Sequence, residues 1–413
     1  KVGAVRDSSL KALLGANPDL NIPVHQYNIN VASLKGEQIE AKDLFREIQE
    51  FPGRGTDAHL YFHLPLCDYI CHFCNYVKRL VAPETRLQQL DLWANRLIAE
   101  SELYLRQVPW MTDINITSFY IGGGTGAIFF FFLAAQRRLL DHVRDNYQIT
   151  DDCELSLEGN PENFTDASIE FAQSLGFNRF SVGVQSLNDE VNSYARRGHT
   201  REEALRAINV LLKTGRPFSV DMMFGLPHQS VEGVRDDILT LIDMGVPTIT
   251  IYRLRNAERE KMGLGNTSVW NTVKIRDKLD SKNLLPSVTK TYQMREAIME
   301  VFAKYGYSPS PCGWWNRPNV YPNGNIPRVS RDKWQRYQSM IGFGPGAYGW
   351  LTGNETTFLQ THNQSDISAY AKYIDAKPEL PPLAFGRRLA GNRAIGTKLC
   401  FAYKANQPIY RQE

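Results

Sequence analysis

Long apolar runs are missing from this sequence. The longest, Ala127–Ala135 (AIFFFFLAA), is under half of what spans a bilayer, which excludes a membrane-spanning helix and sets the expectation of no membrane partner. No sign of charge dominates either: 47 Lys and Arg face 44 Asp and Glu, and the basic residues are scattered. A nucleic-acid interface wants a basic stripe on one face, so no nucleic-acid partner is expected. Six cysteines in 413 residues are far too sparse for a disulfide scaffold. The chain opens on Lys1 rather than Met, which leaves its true N-terminus open, and it shows no apolar signal-peptide core. The expected location is the cytoplasm. What is present is ordinary: 43% hydrophobic and 22% charged residues, in a chain long enough for one large core plus appended elements.

Short runs rich in β-branched and aromatic residues recur, with helix-period segments between them. Strands are expected near His59–His63, Ser118–Ile121, Glu154–Leu157, Arg179–Val184, Phe218–Met223 and Thr248–Tyr252. Helices are expected at Thr85–Gln107, Gln136–Tyr147, Thr165–Leu175, Arg201–Thr214 and Val231–Met244. Strand and helix in alternation argue for a parallel sheet. Six units fall short of an eight-fold barrel, so the expected fold is α/β: a partial (β/α)6 TIM-like barrel with a smaller C-terminal α+β domain. The divisions read as an N-terminal extension over 1–55, the barrel over 56–256 and a substrate-covering domain over 257–413. Outside the barrel, Ala41–Glu50, Lys290–Tyr305, Asp366–Tyr373 and Gly386–Leu399 read as helices, and Pro309–Gly324 as irregular.

Three of the six cysteines crowd into HLPLCDYICHFCNYV, as Cys67-x3-Cys71-x2-Cys74. A structural zinc site takes four ligands, normally as paired CxxC or CxxH units, and no second pair is present. Cys153, Cys312 and Cys400 are isolated. His63 and His72 keep zinc open as an alternative. Three thiolates on one tight loop suit a cubane in which each binds one iron. The fourth iron of a [4Fe–4S] cluster is then open to a small-molecule ligand. Further on, Gly122–Gly124 follow the second strand at the ligand-binding carboxyl end, and put bare backbone beside a ligand. Glu158, Gln185 and Asp221 each end an expected strand, where side chains converge on one mouth.

Cx3CxxC directly after a first strand, with the aromatic Phe73 before the last cysteine, resembles the radical S-adenosylmethionine (radical SAM) superfamily. IGGGTGA (Ile121–Ala127) is similar to the segment that receives the methionine amino group of SAM in that family. LEGNPE (Leu157–Glu162), RFSVGVQSLND (Arg179–Asp189), ARRGHT (Ala195–Thr200), VDMMFGLPHQ (Val220–Gln229) and GFGPGAYG (Gly342–Gly349) resemble the oxygen-independent coproporphyrinogen III dehydrogenase subgroup, in the right order. The resemblance implies that Cys67, Cys71 and Cys74 hold a [4Fe–4S] cluster. It places Tyr61, Gly123, Glu158, Gln185, Arg197, Asp221 and Tyr348 around SAM. Carboxylates suit its ribose and amino group, and Arg197 suits a carboxylate, gripped in bidentate fashion. Reductive cleavage of SAM would yield a 5′-deoxyadenosyl radical that abstracts hydrogen, which implies an electron donor such as flavodoxin or ferredoxin.

Within the subgroup, the class C methylases of natural-product biosynthesis are thought to hold two SAM molecules; Phe73, Gly124 and Thr125 match positions near the second. The dehydrogenase usually has a further cysteine where this chain has Tyr76, and proline where it has Gly126. RLRNAERE, with Arg255, follows the sixth strand in place of a small residue. CHFCNYV and the long N-terminal region look most like the methylases. The expected function is methylation or cyclopropanation at an sp2 carbon of an aromatic or heteroaromatic small molecule. The alternatives are an anaerobic tetrapyrrole enzyme (coproporphyrinogen decarboxylase or haem-degrading methyltransferase) and a non-catalytic haem chaperone. CGWWNRP (Cys312–Pro318) and KWQRYQ (Lys333–Gln338) either wall a flat substrate or pack the C-terminal domain. Phe129–Phe132 have no account at this level, and Glu258, Glu260 and His228 are no more than ionisable groups near strand ends.

Overall fold

A computed structural model describes residues 36–51, 56–74, 76–254, 281–309, 313–317, 326–353 and 357–405. Its centre is a run of βα units. They are β1 (Asp57–Leu64), α1 (Arg86–Gln107), β2 (Asn115–Gly123), α2 (Leu133–Asn146), β3 (Gln148–Gly159), α3 (Asp166–Ser174) and β4 (Arg179–Gln185). Then follow α4 (Arg201–Lys213), β5 (Phe218–Phe224), α5 (Val231–Asp243) and β6 (Thr248–Arg253). Three of the helix starts are written locally. Thr165, Thr200 and Ser230 cap α3, α4 and α5 by accepting a backbone N–H of the first turn, and Glu203 completes a capping box with Thr200.

β1 to β6 pair in parallel in sequence order, and all six expected strands lie inside them. Alternation along each strand sorts the side chains. Leu60, Phe62, Ile121, Leu157, Phe180, Val182, Val220 and Ile249 are fully buried in the main apolar core. The alternate residues are polar: His59, Tyr61 and His63 on β1, Ser118 and Tyr120 on β2, Glu154, Ser156 and Glu158 on β3, Arg179 and Ser181 on β4, Asp221 on β5. The concave face of this partial barrel is therefore a polar surface. The six strands do not close on themselves; both edges of the sheet are extended by further strands.

Beyond β6 lie α6 (Val288–Lys304), β7 (Trp314–Asn316), α7 (Arg328–Arg336), β8 (Ser339–Phe343), β9 (Tyr348–Thr352), β10 (Thr357–Asn363), α8 (Ile367–Asp375) and β11 (Leu383–Ala390). β7 adds to β6, while β8 runs parallel to β1 and leads into the antiparallel β9, β10 and β11. Strand Glu37–Glu40, from the N-terminal segment, completes that edge against β11. Gly386–Leu399, expected as one helix, is instead strand to Ala390 and helix from Asn392. Pairing of Gly386 to Ala390 with β10 satisfies that backbone, and Gly391 at φ +56° breaks the chain direction.

The Trp-rich segments pack rather than wall a ligand. Trp315 stacks on Phe302 of α6 at 4.7 Å, and Trp314 meets Trp334 of α7 edge-on at 5.6 Å. The four phenylalanines form a 3₁₀ entry to α2: Phe129 is buried in the core, Phe130 and Phe132 pack against it, and Phe131 is exposed beneath the Arg86 guanidinium at 4.1 Å. Arg255, Glu258, Glu260 and Cys312 lie outside the described residues.

One buried carboxylate ties α1 to the C-terminal strands. Glu100 accepts hydrogen bonds from the Gly344 N–H at 2.7 Å, Asn363 Nδ2 at 2.6 Å and the Tyr370 hydroxyl. Burial raises its pKa to about 7. Glu100→Ala would strand three buried donors and leave a void, and each orphaned donor costs about 1–3 kcal/mol. We expect a loss of at least about 3 kcal/mol in urea unfolding; an unchanged midpoint would show the network to be dispensable.

Candidate active site

The loop between β1 and α1 is closed at its base by a short ladder, Leu66–Cys67 pairing with Arg79–Leu80. The Val81 N–H donates to the Cys67 carbonyl at 3.0 Å, and the Cys74 N–H to the Cys71 carbonyl at 3.3 Å, so the three cysteines ride on one tight turn. The glycine run at the end of β2 lies against this base. The Gly124 N–H donates to the Leu64 carbonyl and the Thr125 N–H to the Leu66 carbonyl. A Cβ on Gly124 would strike the Leu66 backbone, and one on Gly123, at φ +108°, would stand 2.7 Å from the His63 ring. These glycines are required by close packing against the cysteine loop as much as by any ligand.

A cavity of about 430 Å³ opens at the carboxyl ends of β2 to β6, within the usual range of a small-molecule site. Its walls include Cys67, Cys71, Cys74, Phe73, Gly123, Gly124, Thr125, Glu158, Gln185, Arg197 and Asp221. All the site residues expected from sequence are thus brought together except two. Tyr61 sits behind the wall, its hydroxyl 3.0 Å from His63 Nδ1. Tyr348 lies on β9, with its ring against His362 at 5.3 Å and the Lys333 ammonium at 4.6 Å; it does not line the cavity. Sequence reading missed Tyr69, Lys78, Asn160, Met223, Tyr252 and Arg253, which also line it. Period-two counting from Thr248 and Asp221 reaches Tyr252 and Met223; the others are on loops or at a strand end, where periodicity carries no signal.

Two acids stand in this cavity. Burial, reinforced by the negative charge of Asp221, raises Glu158 to about 7. Burial likewise raises Asp221 to about 6, against hydrogen bonds that include one from Ser181 Oγ at 3.1 Å. Arg179, fully buried on β4, is the cation that faces both, and Glu154 below them. Gln185 ends β4 at φ +70°, a strained conformation for a non-glycine residue, next to a shift in strand register.

Arg197 departs from its expected role. Nη1 donates to Cys71 Sγ at 3.3 Å, and Nη2 to Asn160 Oδ1 at 3.0 Å and to the Gly183 carbonyl. Its fork is held by the protein, so a bidentate grip on a ligand carboxylate would have to displace these bonds. Nε is buried with no hydrogen-bond partner among the described residues, and is the donor left for a ligand.

The donor set fits an iron–sulfur cluster. Burial, with the neighbouring thiols, pushes Cys67 up to about 12, and Cys74 is raised as well. Such thiols stay protonated until a cation replaces the proton. The Thr125 hydroxyl lies 3.7 Å from Cys67 Sγ. Among the described residues, no three His, Cys, Asp or Glu side chains lie close enough to share a single metal ion. His63 is held by the Val77 carbonyl at 2.7 Å and His72 by the Tyr194 carbonyl at 3.1 Å, each through a ring nitrogen. Three thiolates that each bind a different iron stand further apart. His228 lies elsewhere, paired with Glu190 at 3.2 Å.

Comparison with known proteins agrees with this geometry. Residues 61–241 match the Radical SAM superfamily. The heme chaperone HemW of Lactococcus lactis is 27% identical over 296 residues, 71% of this chain and 69% of that protein. HemW of Escherichia coli K12 is 26% identical, over 73% of this chain and 72% of its own length. In fold, the chain resembles the coproporphyrinogen III oxidase HemN of Escherichia coli, with a TM-score of 0.70 and 17% identity over 89% of this chain and 80% of that one. No helix among the described residues is long and apolar enough to cross a membrane.

These likenesses overturn the expectation of natural-product methylation. The wording around Cys74 and the long N-terminal region suggested it, but both are short or unpatterned signals. The similarity to heme chaperones runs over 296 residues or more and outweighs them. The radical SAM domain implies a [4Fe–4S] cluster and SAM, and all the residues that line the cysteine-lined cavity except Tyr252 and Arg253 fall within the superfamily match. Residues 61–241 are a radical SAM domain, and the chain as a whole is similar in sequence to heme chaperones and in fold to the coproporphyrinogen III oxidase HemN.

Proposed function

We propose that this chain is a haem-binding protein of the chaperone kind, which keeps a cluster-and-SAM site at the mouth of its partial barrel. The observation that carries this reading is the length of the likeness to proteins named heme chaperone. It extends over 296 to 322 residues, well beyond the matched domain at 61–241 and over about 70% or more of each relative. Tyr76, exposed at the cavity rim in place of the dehydrogenase's further cysteine, weighs against coproporphyrinogen decarboxylation. Cys67, Cys71 and Cys74 would hold the cluster, whose chemistry is one-electron reduction of bound SAM. Glu158 and Asp221 would attract the cationic parts of SAM, Arg197 Nε would donate to it, and Phe73, Met223 and Tyr252 would shield it from water. The second SAM went with the methylase reading and loses its support with it. A flavodoxin- or ferredoxin-type reductant serves the cluster.

A second reading is a tetrapyrrole-modifying enzyme. It is favoured by the intact cavity and by 28% identity over 224 residues to the anaerobilin synthase of Escherichia coli O157:H7, which covers 53% of this chain. One anaerobic experiment separates the two. Reconstituted protein is titrated with haem, then incubated with SAM and dithionite, and the products are read by mass spectrometry. The chaperone reading expects saturable binding of haem that is recovered unchanged. Haem consumed together with release of 5′-deoxyadenosine would select the enzyme, and absence of saturable haem binding would sink both.

A further inference from the structure

Lys78 was not among the residues singled out by sequence, yet it is a lysine that is only 8% exposed beside three cysteines. Its ammonium donates to the Cys74 carbonyl at 2.8 Å and to the Tyr76 carbonyl at 3.2 Å. It also lines the cavity. The next residues, Arg79 and Leu80, form the ladder on Leu66 and Cys67, so the backbone that positions Lys78 is the same backbone that closes the cysteine loop. Its positive charge acts on both the Cys67 and the Cys74 sulfur. Arg197 stands on the other side, with Nη1 on Cys71 Sγ. The three thiols are thus flanked by two buried cations, one for Cys67 and Cys74 and one for Cys71.

Burying a lysine is costly unless its charge is compensated. No carboxylate is hydrogen-bonded or ion-paired to Lys78 among the described residues; its ammonium is held by two carbonyls and by the Cys74 thiol. The compensating charge is supplied once the thiols become thiolates on iron. Three thiolates leave a cubane assembly net negative, and reduction adds a further negative charge. A fixed cation nearby stabilises the reduced form most.

We propose that Lys78 is a positioning residue for the cluster, which pins the Cys74 arm of the loop and biases the bound cluster toward its reduced state. The proposal goes beyond the haem reading and holds whichever of the two functions is correct. The experiment compares wild type, Lys78→Gln and Lys78→Arg after anaerobic reconstitution, reading iron and sulfide per chain and the midpoint potential by EPR-monitored titration. Lys78→Gln is expected to favour the oxidised cluster by at least about tenfold, a negative shift of about 59 mV for one electron. Lys78→Arg, which keeps the charge, is expected to stay near wild type. If Lys78→Gln fails to hold iron, the proposal stands only if Lys78→Arg loads fully with the wild-type potential. An unshifted potential in Lys78→Gln would overturn it, as would a Lys78→Arg variant that behaves like Lys78→Gln.

Discussion

A chain carrying Cys71→Ala is expected to lose its iron and sulfide almost entirely, while Cys153→Ala and Cys400→Ala keep theirs. Removing a mere outer partner of a metal ligand costs about 10–100-fold in affinity, so removing a ligand should cost more. Cys71 is also where Arg197 Nη1 lands, and alanine would leave that buried donor without its acceptor. Cys153 makes the opposite prediction from the same physics. It lies midway along β3, outside the lining of the cavity, and burial pushes it up to about 12, so it is an inert apolar side chain. Cys400 sits on the C-terminal helix Asn392–Lys404. Iron and acid-labile sulfide analysis after identical reconstitution decides the matter. Full iron in Cys71→Ala, or its loss in Cys153→Ala, would refute the assignment of the loop.

The second large effect is in pH. Without ligand, Glu158 has its pKa raised from 4.5 to about 7, and Asp221 from 3.8 to about 6. Between those values the folded chain binds more protons than the unfolded one, so the stability of the ligand-free protein falls as pH rises from about 4.5 toward 7. For Glu158 the shift corresponds to about 3 kcal/mol over that window. Glu158→Gln removes a titrating group, so its unfolding free energy should decline less steeply over the same range by about that amount. Glu100 contributes a slope of the same sign, which is why the variant is compared with wild type rather than with a flat line. Binding of a cation such as SAM should invert the trend. It favours the ionised carboxylates, so affinity rises with pH through 6 to 7 and protons are released. Urea unfolding at several pH values and calorimetry in two buffers would measure both; parallel slopes for wild type and variant would refute the linkage.

The sequence alone determined the alternation of strand and helix, the cysteine spacing and the order of the motifs, because these depend on neighbours a few residues apart. That was enough for the parallel sheet, the superfamily and most of the cavity wall. It did not determine residues whose role is set across the fold. Lys78 carries no signal in the sequence, and only the ladder at Cys67 folds it against the loop. Arg197 reads as a ligand grip until Asn160, Gly183 and Cys71 are seen to hold its fork. Tyr348 belongs to a motif in the right order, yet β9 carries it away from the cavity. Gly386–Leu399 has helical composition, but hydrogen bonds from distant β10 make its first half a strand. Local spacing fixes which groups are available, and long-range pairing and burial decide which charges and donors are left facing a ligand.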